Sequence, residues 1–307
     1  MMNNEWKDKS VLVTGGGGFL GSRLTEVLLS KGARITCLDV VEAPLRLKEI
    51  KRQIDYLSGD IADWRWVSER CKPFDFVFHL AAFAFPAEAQ KKPELAYRNN
   101  VMGTAHMLEI ARRASVKKFI FMSAGALYTN IPKYLPIDEK HPIDPYQGVY
   151  AWTKRIGEMM CEEFQKVYEL PCICFRLFNT YGPRQSEEYL VPSLIKRARA
   201  GKNLEVLNGD IKRDFSYLDD IIDALVRGAE SDYRGGPVNL GTGIEHSIQE
   251  IAEKIAAFFS VKVSNLNRQV FGPKRAVCNI TLAKEVLGWQ PQITLDEGIK
   301  RTVQSFM

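Results

Sequence analysis

Tyr150 and Lys154 form the pair of side chains in this sequence that is best placed to do chemistry. They stand four residues apart in a segment with helical periodicity, and that spacing puts both on one face of a helix. An ammonium group beside a phenol stabilises the phenolate, which makes the tyrosine usable as a general base. The pair therefore predicts that an alcohol loses its proton to Tyr150 while hydride leaves the same carbon.

A glycine-rich stretch at residues 14–21 predicts the carrier of that hydride. It joins an apolar run at 10–13 to a helical pattern at 19–29, and its glycines match two spacings found in dinucleotide-binding turns. In such turns the backbone approaches a diphosphate closely, and the helix N-terminus offers N–H groups and a positive dipole. The predicted cofactor contacts here are Gly15, Gly18, Phe19, Leu20 and Gly21.

Asp39 predicts which dinucleotide is bound. It ends a second strand-like run, residues 34–39, roughly 20 residues after the glycines, where an acidic side chain can bind a ribose 2′-hydroxyl. The same carboxylate would repel a 2′-phosphate, so we expect NAD rather than NADP.

The elements that must position these groups alternate along the chain. Strand-like runs recur at 54–57, 76–80, 118–122 and 172–177, and helical patterns at 95–114 and 150–167. Such alternation predicts an α/β fold with a Rossmann-type, doubly wound parallel sheet. The pattern changes after 179–183, which predicts a cofactor-binding domain at 1–180 and a smaller mixed α/β substrate lobe at 181–307. Within that lobe, we expect segments near 208–241 to return to the first domain.

The composition argues against several other functions. The 307 residues carry 42 basic and 37 acidic side chains, for a net charge of +5. The basic residues are spread out except at 196–202, which we interpret as a solvated helix face, so no nucleic-acid partner is expected. No signal sequence is evident and no apolar run approaches the roughly 20 residues that span a bilayer, so we expect a cytoplasmic protein without a membrane partner. Neither the six cysteines nor the four histidines have metal-ligand spacing, so no metal is expected.

Further motifs extend almost from end to end of the chain. They are Gly59-Asp60-Ile61, His79-Leu80-Ala81-Ala82, Asn100-Val101 with Gly103-Thr104, Asp138-Glu139 with Pro145-Tyr146, the segment 178–185, and the segments 208–210 and 213–219. Together with the glycine stretch and the Tyr150/Lys154 pair, they resemble the extended short-chain dehydrogenase/reductase family, specifically its nucleotide-sugar epimerases and dehydratases, such as the UDP-glucose 4-epimerases.

The resemblance implies further site residues and an assembly. The implied cofactor contacts are Asp60, Ile61, Leu80, Ala81, Ala82 and Asn100, with Tyr150 and Lys154. The implied contacts to the diphosphate of a nucleotide sugar are Asn179, Arg184, Arg213 and Arg275, and arginine suits this role because its planar fork can bond two phosphate oxygens. Relatives dimerise through two long helices, which correspond here to 95–114 and 150–167. The apolar residues expected at that contact are Ala105, Leu108, Met159, Met160 and Phe164.

Ala124 departs from the family pattern. Relatives carry Ser or Thr at this position, where the hydroxyl bonds the sugar oxygen that is oxidised. Ser123 is a catalytic candidate in its place, but neighbouring strand side chains point to opposite faces, so it would need a local distortion. Dehydratases and decarboxylases of the family place acids at the next positions, here Gly125 and Ala126, so both classes are disfavoured.

This segment therefore favours a 4-epimerase that acts on a UDP-hexose through a 4-keto sugar, because that reaction needs the fewest catalytic groups here. Three alternatives stay open at this stage. They are a dehydratase or a reductase of the same family, or a non-catalytic protein that binds NAD and a nucleotide sugar.

Overall fold

The structure is a computed structural model that describes residues 5–42, 44–144, 148–266 and 272–307. Pro145-Tyr146, part of one family motif, lies outside the described residues. The strands are β1 (Ser10–Thr14), β2 (Arg34–Asp39), β3 (Asp55–Ser58), β4 (Phe76–His79), β5 (Lys118–Ala124), β6 (Cys172–Leu177), β7 (Asn179–Tyr181), β8 (Leu204–Leu207), β9 (Lys212–Tyr217), β10 (Val238–Leu240), β11 (Glu245–Ser247), β12 (Val263–Leu266) and β13 (Arg275–Ala276).

The helices account for both long helical patterns in the sequence. They are α1 (Phe19–Ser30), α2 (Trp64–Arg70), α3 (Pro86–Lys91), α4 (Pro93–Tyr97), α5 (Gly103–Ala114), α6 (Val149–Tyr168), α7 (Leu190–Arg199), α8 (Leu218–Glu230), α9 (Ile248–Phe259), α10 (Thr281–Leu287) and α11 (Leu295–Phe306). A π-helical turn, Arg98–Met102, joins α4 to α5, and a 3₁₀ turn, Gly125–Leu127, follows β5.

The main sheet has seven strands in the order β10-β6-β5-β4-β1-β2-β3. It is parallel, and β4 and β5 are buried along their whole length, as expected for strands covered by helices on both faces. The strand order reverses between β1 and β4, and in open parallel sheets ligands bind at the carboxyl ends of the strands beside such a reversal. The prediction of a Rossmann-type doubly wound sheet is confirmed.

The first compact unit of the chain comprises Met1–Leu127, Asp144–Arg176 and Leu225–Val238. Its core packs β1, β4, β5 and β6 against α5 and α6. Gly157 lets α6 approach β5 closely, because a Cβ at this position would lie 2.3 Å from Cζ of Phe121. The close packing fixes the height of α6, and so of Tyr150 and Lys154, over the end of β5.

The second compact unit comprises Tyr128–Ile143, Leu177–Ala224 and Asn239–Met307. In it, β9 pairs with β7 and β13 in parallel and with β11 in antiparallel orientation, while α7, α9 and α11 enclose a second core. The residue ranges of this unit differ in detail from the predicted domain boundary at residue 180. Tyr128–Ile143 belongs here because Tyr128 donates a hydrogen bond to Asn239 and Ile137 forms a β-bridge with Cys278. Of the segment near 208–241, Leu225–Val238 groups with the first unit.

None of the helices in the described ranges is long and apolar enough to cross a membrane.

Candidate active site

The glycine turn between β1 and α1 has the shape that a dinucleotide diphosphate requires. Gly15 has a φ of +69°, and a Cβ there would lie 2.8 Å from the backbone nitrogen of Ala81. A Cβ at Gly21 would lie 2.1 Å from the carbonyl oxygen of Gly15. Helix α1 starts behind Gly18 with no side chain capping its first turn, which leaves backbone N–H groups available to an anion. The turn therefore fits NAD.

Asp39 lies beside this turn, at the end of β2. Its Oδ2 accepts a hydrogen bond from the backbone N–H of Gly17 at 2.9 Å, and its Oδ1 accepts one from Val41 at 3.2 Å. A carboxylate has about four lone-pair positions, so Asp39 keeps capacity to accept from a ribose hydroxyl. Its negative charge next to the turn is the arrangement expected for a preference against a 2′-phosphate.

Asp60 and Ile61, which follow β3, make different contacts. Asp60 is partly exposed and pairs with Arg98 at 2.6 Å, while its other oxygen accepts from the backbone of Ala62. Ile61 is buried in the first unit's core, and its carbonyl oxygen accepts a hydrogen bond from His106 at 2.8 Å. The Asp60 carboxylate is thus the more accessible of the two groups.

Hydrogen bonds to the side chains of Thr14 and Asn100 hold the segment that follows β4. Leu80, Ala81 and Ala82 are half-buried, and the N–H of Ala81 donates to Oγ1 of Thr14 at 3.2 Å. Asn100, in the π-helical turn, is buried, and its Oδ1 accepts from the N–H of Phe83 at 2.7 Å. Its Nδ2 donates to the carbonyl oxygen of Phe83 and to Thr153. The Asn100 side chain therefore braces this segment against α6.

Tyr150 and Lys154 occupy the first turns of α6. Lys154 is buried, and its Nζ donates to the carbonyl oxygen of Met122 at 2.8 Å while lying 5.1 Å from the centre of the Phe121 ring. Burial lowers the pKa of Lys154 to about 8. Tyr150 is half-buried. Because an ammonium group has three donors, Lys154 has donors beyond the one that binds Met122.

Ser123 and Ala124 end β5, and both are buried. Oγ of Ser123 donates to Oε1 of Glu158 on α6 at 2.7 Å, and both side chains are buried. Glu158 also accepts from Arg176 at 2.8 Å through both of its oxygens and from Arg155 at 3.1 Å. The single hydroxyl proton of Ser123 is therefore engaged between β5 and α6. The structure does not support the expectation that Ser123 replaces the hydroxyl that Ala124 lacks.

The arginines predicted to bind phosphate lie in the second unit and differ in their pairing. Arg213, on β9, is half-buried and donates to the carbonyl oxygen of Lys212 at 2.9 Å. Across the described residues no acidic side chain pairs with it, and burial lowers its pKa. Arg275, on β13, is more exposed and is bound to Glu245 through Nε at 2.9 Å and Nη2 at 2.8 Å.

The other two predicted phosphate contacts lie on β7 and shortly after it. Asn179 begins β7 and is exposed, while Arg184 is half-buried with a φ of +67°. The parallel register of β7 and β9 places Asn179 opposite Phe215, two residues from Arg213. Asn179 and Arg213 therefore lie on neighbouring strands.

Several residues around the site were missed by sequence patterns. The position of Glu158 could have been predicted from the sequence, because it stands four residues after Lys154 on the same helix. Glu245 and Arg176 carry no such signal, since their partners are distant in sequence. Among the described residues, no group of three or more His, Cys, Asp or Glu side chains could hold a metal ion.

Comparisons with known proteins give consistent results. The model of the NAD dependent epimerase/dehydratase family matches residues 11–241. UDP-glucose 4-epimerase from Mycolicibacterium smegmatis is 33% identical over 311 residues, covering 96% of this chain and 97% of that protein. UDP-glucuronic acid decarboxylase 1 from Xenopus tropicalis is 31% identical over 308 residues, covering 97% of this chain and 72% of the relative. The crystal structure of UDP-glucose 4-epimerase with UDP-glucose from Thermotoga maritima has a TM-score of 0.90 at 28% identity, covering 97% of this chain and 98% of that one.

Proposed function

The chain belongs to the NAD dependent epimerase/dehydratase family, and from that premise we propose that it is a nucleotide-sugar 4-epimerase acting on a UDP-hexose. The observation that carries the proposal is the end of β5 beside α6. There the buried Lys154 is fixed to Met122, while Ala124, Gly125 and Ala126 supply no acid or base. Such a site can transfer a proton and a hydride at one carbon, but positions 124–126 offer no second acid–base group for eliminating water.

The cofactor would be held by the first unit. The glycine turn would bind the NAD diphosphate, Asp39 a ribose hydroxyl, and the half-buried segment 80–82 would line the cofactor. Bound NAD supplies a carrier that takes hydride from C4 of the sugar and returns it to the opposite face. The orientation of the cofactor would depend on Lys154, whose ammonium has donors left for its ribose.

Tyr150 would move the proton. In the forward half-reaction its phenolate accepts the proton of the C4 hydroxyl as the C4–H bond breaks, which leaves a ketone at C4. After the sugar presents its other face, Tyr150 returns the proton to the same oxygen as the C–H bond re-forms. Lys154 stabilises the phenolate that is present before the proton is taken up and after it is returned, because a buried positive charge acts strongly in a low-dielectric site.

The substrate diphosphate would be bound by residues of the second unit. Arg213 is the main candidate, since a half-buried guanidinium without an acidic partner among the described residues gains most from an anion. Asn179, Arg184 and Arg275 would complete the contacts. The UDP-sugars named for the relatives from Mycolicibacterium smegmatis and Thermotoga maritima support UDP-hexoses as the substrate class.

The 31% identity to a decarboxylase raises that reaction as the competing function. The sequence disfavours it, because the family's decarboxylases carry an acid at the position of Ala126. The absence of a hydroxyl at Ala124 affects each of these reactions alike, since each begins with oxidation at C4.

We further propose a homodimer that forms through α6 and the helical segment 93–114. Met102, Trp152 and Met159 on these helices are exposed to 51%, 37% and 49%, so they offer apolar surface that a second copy of the chain could cover. Leu108 is fully buried in the core of the first unit, so the expectation that it contributes to this contact is wrong. Sedimentation at micromolar concentration tests the dimer, and a strictly monomeric protein would contradict it.

A panel of nucleotide sugars tests the reaction. The purified protein is incubated with each UDP-sugar in the presence of NAD or, in separate samples, NADH, and products are identified by NMR. We expect interconversion of two UDP-hexoses that differ only at C4, with no net change in NAD. A 4-keto-6-deoxy product, release of carbon dioxide, or consumption of NADH would contradict the epimerase and identify a dehydratase, decarboxylase or reductase. Absence of any turnover in the panel would favour a binding protein.

A further inference from the structure

His79, at the end of β4, is a buried histidine that the proposed reaction does not use. It is 1% exposed and lies between two threonines. Its Nδ1 is 2.7 Å from Oγ1 of Thr14 on β1, and its Nε2 is 2.9 Å from Oγ1 of Thr104 on α5. The rings of Phe119 and Phe121, on β5, pack beside it at 5.9 Å between ring centroids.

The surrounding hydrogen bonds assign the proton of the His79 ring. Oγ1 of Thr104 donates its own proton to the carbonyl oxygen of Asn100 at 2.6 Å, so it can only accept from His79. The ring therefore carries its proton on Nε2, and Nδ1 accepts from Thr14. The neutral form is favoured, because burial, and secondarily the charge of Lys154, lowers the pKa of His79 to about 3.

The Nδ1 side connects directly to the segment 80–82, whereas the Nε2 side reaches Asn100, whose side chain binds both Phe83, next to that segment, and Thr153 on α6. On the Nδ1 side, Thr14 accepts from the backbone N–H of Ala81 at 3.2 Å, in the segment proposed to line the cofactor. On the Nε2 side, the hydrogen bonds continue from Thr104 to Asn100. From Asn100 they pass through Nδ2 to Thr153 at 2.9 Å, and Thr153 donates to the carbonyl oxygen of Tyr150 at 2.8 Å.

We propose that His79 is a positioning residue that holds the cofactor-lining segment and the Tyr150 turn of α6 in register through its two ring nitrogens. A neutral imidazole suits this task, since one nitrogen accepts while the other donates, and its aromatic ring also fills the space beside Phe119 and Phe121. The inference rests on the proposed function, because that function gives segment 80–82 and Tyr150 their roles. His79 itself touches neither the substrate nor the reacting atoms.

Two conservative variants separate the two sides. Asparagine places its amide near the position of Nδ1, so His79→Asn keeps the bond to Thr14 and loses the one to Thr104. Glutamine reaches the position of Nε2, so His79→Gln keeps the bond to Thr104 and loses the one to Thr14. The measurements are the dissociation constant of NAD, followed by fluorescence, and kcat at saturating NAD with the UDP-hexose that the wild-type protein turns over.

The expected results differ in direction. His79→Gln should raise the dissociation constant of NAD about two- to tenfold, the effect of one lost hydrogen bond, with kcat nearly unchanged. His79→Asn should lower kcat by a similar factor and change NAD affinity less than His79→Gln does, because the direct link from Thr14 to Ala81 is kept. His79→Phe, which keeps the ring packing, should show both losses. Equal losses of NAD affinity and kcat in the Asn and Gln variants, or a loss of stability alone, would overturn the proposal.

His141 provides a matched control in the second unit. It is also buried and also bonded through both nitrogens, to the N–H of Lys133 and the carbonyl oxygen of Pro142. His141→Phe should lower the melting temperature while leaving the NAD dissociation constant and kcat unchanged. If it changes them as the His79 variants do, the His79 effects reflect general destabilisation and the proposal is overturned.

A spectroscopic measurement on the wild-type protein covers the case in which the variants do not fold. The ¹⁵N shifts of His79 should show a protonated Nε2 and a bare Nδ1, unchanged from pH 8 to pH 5.5. An Nδ1–H tautomer, or titration near pH 6.5, would overturn the assigned direction of the hydrogen bonds. An inactive wild-type protein would instead contradict the proposed function, while the NAD affinities and the NMR spectrum would still be informative about His79.

Discussion

The two units of the chain satisfy their buried polar groups to different degrees. In the first unit, His79, Lys154 and Glu158 are each bonded within the protein. All the buried side-chain polar atoms without a partner in the described residues lie in the second unit, and they are Thr180 Oγ1, Gln185 Oε1, Ser216 Oγ and Gln249 Oε1. Such atoms are rare in folded proteins and call for water or a ligand.

The same difference appears in the charged groups. Glu158 and Arg176 neutralise each other in the first unit at 2.8 Å, whereas Arg213 in the second unit has no acidic partner among the described residues. Thr180 and Ser216 are register partners on β7 and β9, the strands that also carry Asn179 and Arg213. This contrast is what we expect if the first unit is preorganised for the cofactor and the second is completed by what it binds.

The largest expected effect comes from removing the proposed base. Tyr150→Phe deletes only the phenolic oxygen, so kcat should fall about 100- to 10,000-fold, the usual contribution of general acid–base catalysis. The dissociation constants of NAD and UDP should change little, because the ring remains. Tyr168→Phe is a matched control on the exposed side of the same helix and should retain full activity. Unchanged kcat in Tyr150→Phe would remove this residue from the mechanism.

The next effect should appear in the free energy of unfolding. It tests whether the buried charges of the first unit depend on each other. Glu158→Ala breaks a buried ion pair with Arg176 and a second contact with Arg155, and breaking a buried pair costs about 3–5 kcal/mol. Glu162→Ala, which removes an exposed ion pair with Lys166 from the same helix, should cost less than about 1 kcal/mol. Urea unfolding measures both. Equal free-energy losses would show that the Glu158 network is no more important than a surface pair.

Sequence patterns predicted the elements of the first unit well, because β1, β4 and β5 are continuous apolar runs and α6 has clear periodicity. Alternation along β5 also indicated that Ser123 and Ala124 face opposite sides, and the bond from Ser123 to Glu158 agrees with that. The partners of His79 could not be predicted, since Thr14 and Thr104 lie 65 and 25 residues away. Neither could the pairing of Arg275 with Glu245, because it depends on how three short strands align around β9.

The third prediction sharpens the contrast within the second unit. Arg213→Gln should raise the dissociation constant of UDP about 10- to 100-fold, since a hydrogen bond to a charged group is worth roughly 1.5–3 kcal/mol. Arg275→Gln is the matched control and should raise it less than about fivefold, because this exposed arginine already pairs with Glu245. Isothermal titration with UDP in the presence of NAD measures both. A larger effect at Arg275 would show that Glu245 orients the principal phosphate ligand rather than neutralising it.

The smallest expected effect concerns Ala124. At this position in the first unit, relatives carry a Ser or Thr hydroxyl that this chain lacks. Because Ser123 is committed to Glu158, a hydroxyl at position 124 has no substitute on this strand. Ala124→Ser should restore a hydrogen bond to the sugar oxygen, and to the phenolate of Tyr150 that receives its proton. If expressed only in the transition state, that bond would raise kcat about tenfold, toward the lower end of the range for bonds to charged groups.

The measurement for Ala124→Ser is the rate at which bound NAD is reduced after the UDP-hexose is added, together with the dissociation constant of UDP. Ala124→Cys is the control at the same position, because a thiol has a similar size but donates only weakly, and it should leave the rate near that of the wild type. We expect the serine variant to be faster with UDP affinity unchanged. A serine variant that is slower or inert would mean that Ala124 makes room for a different substrate or step, and the preorganisation inferred for the first unit would then serve a reaction other than simple 4-epimerisation.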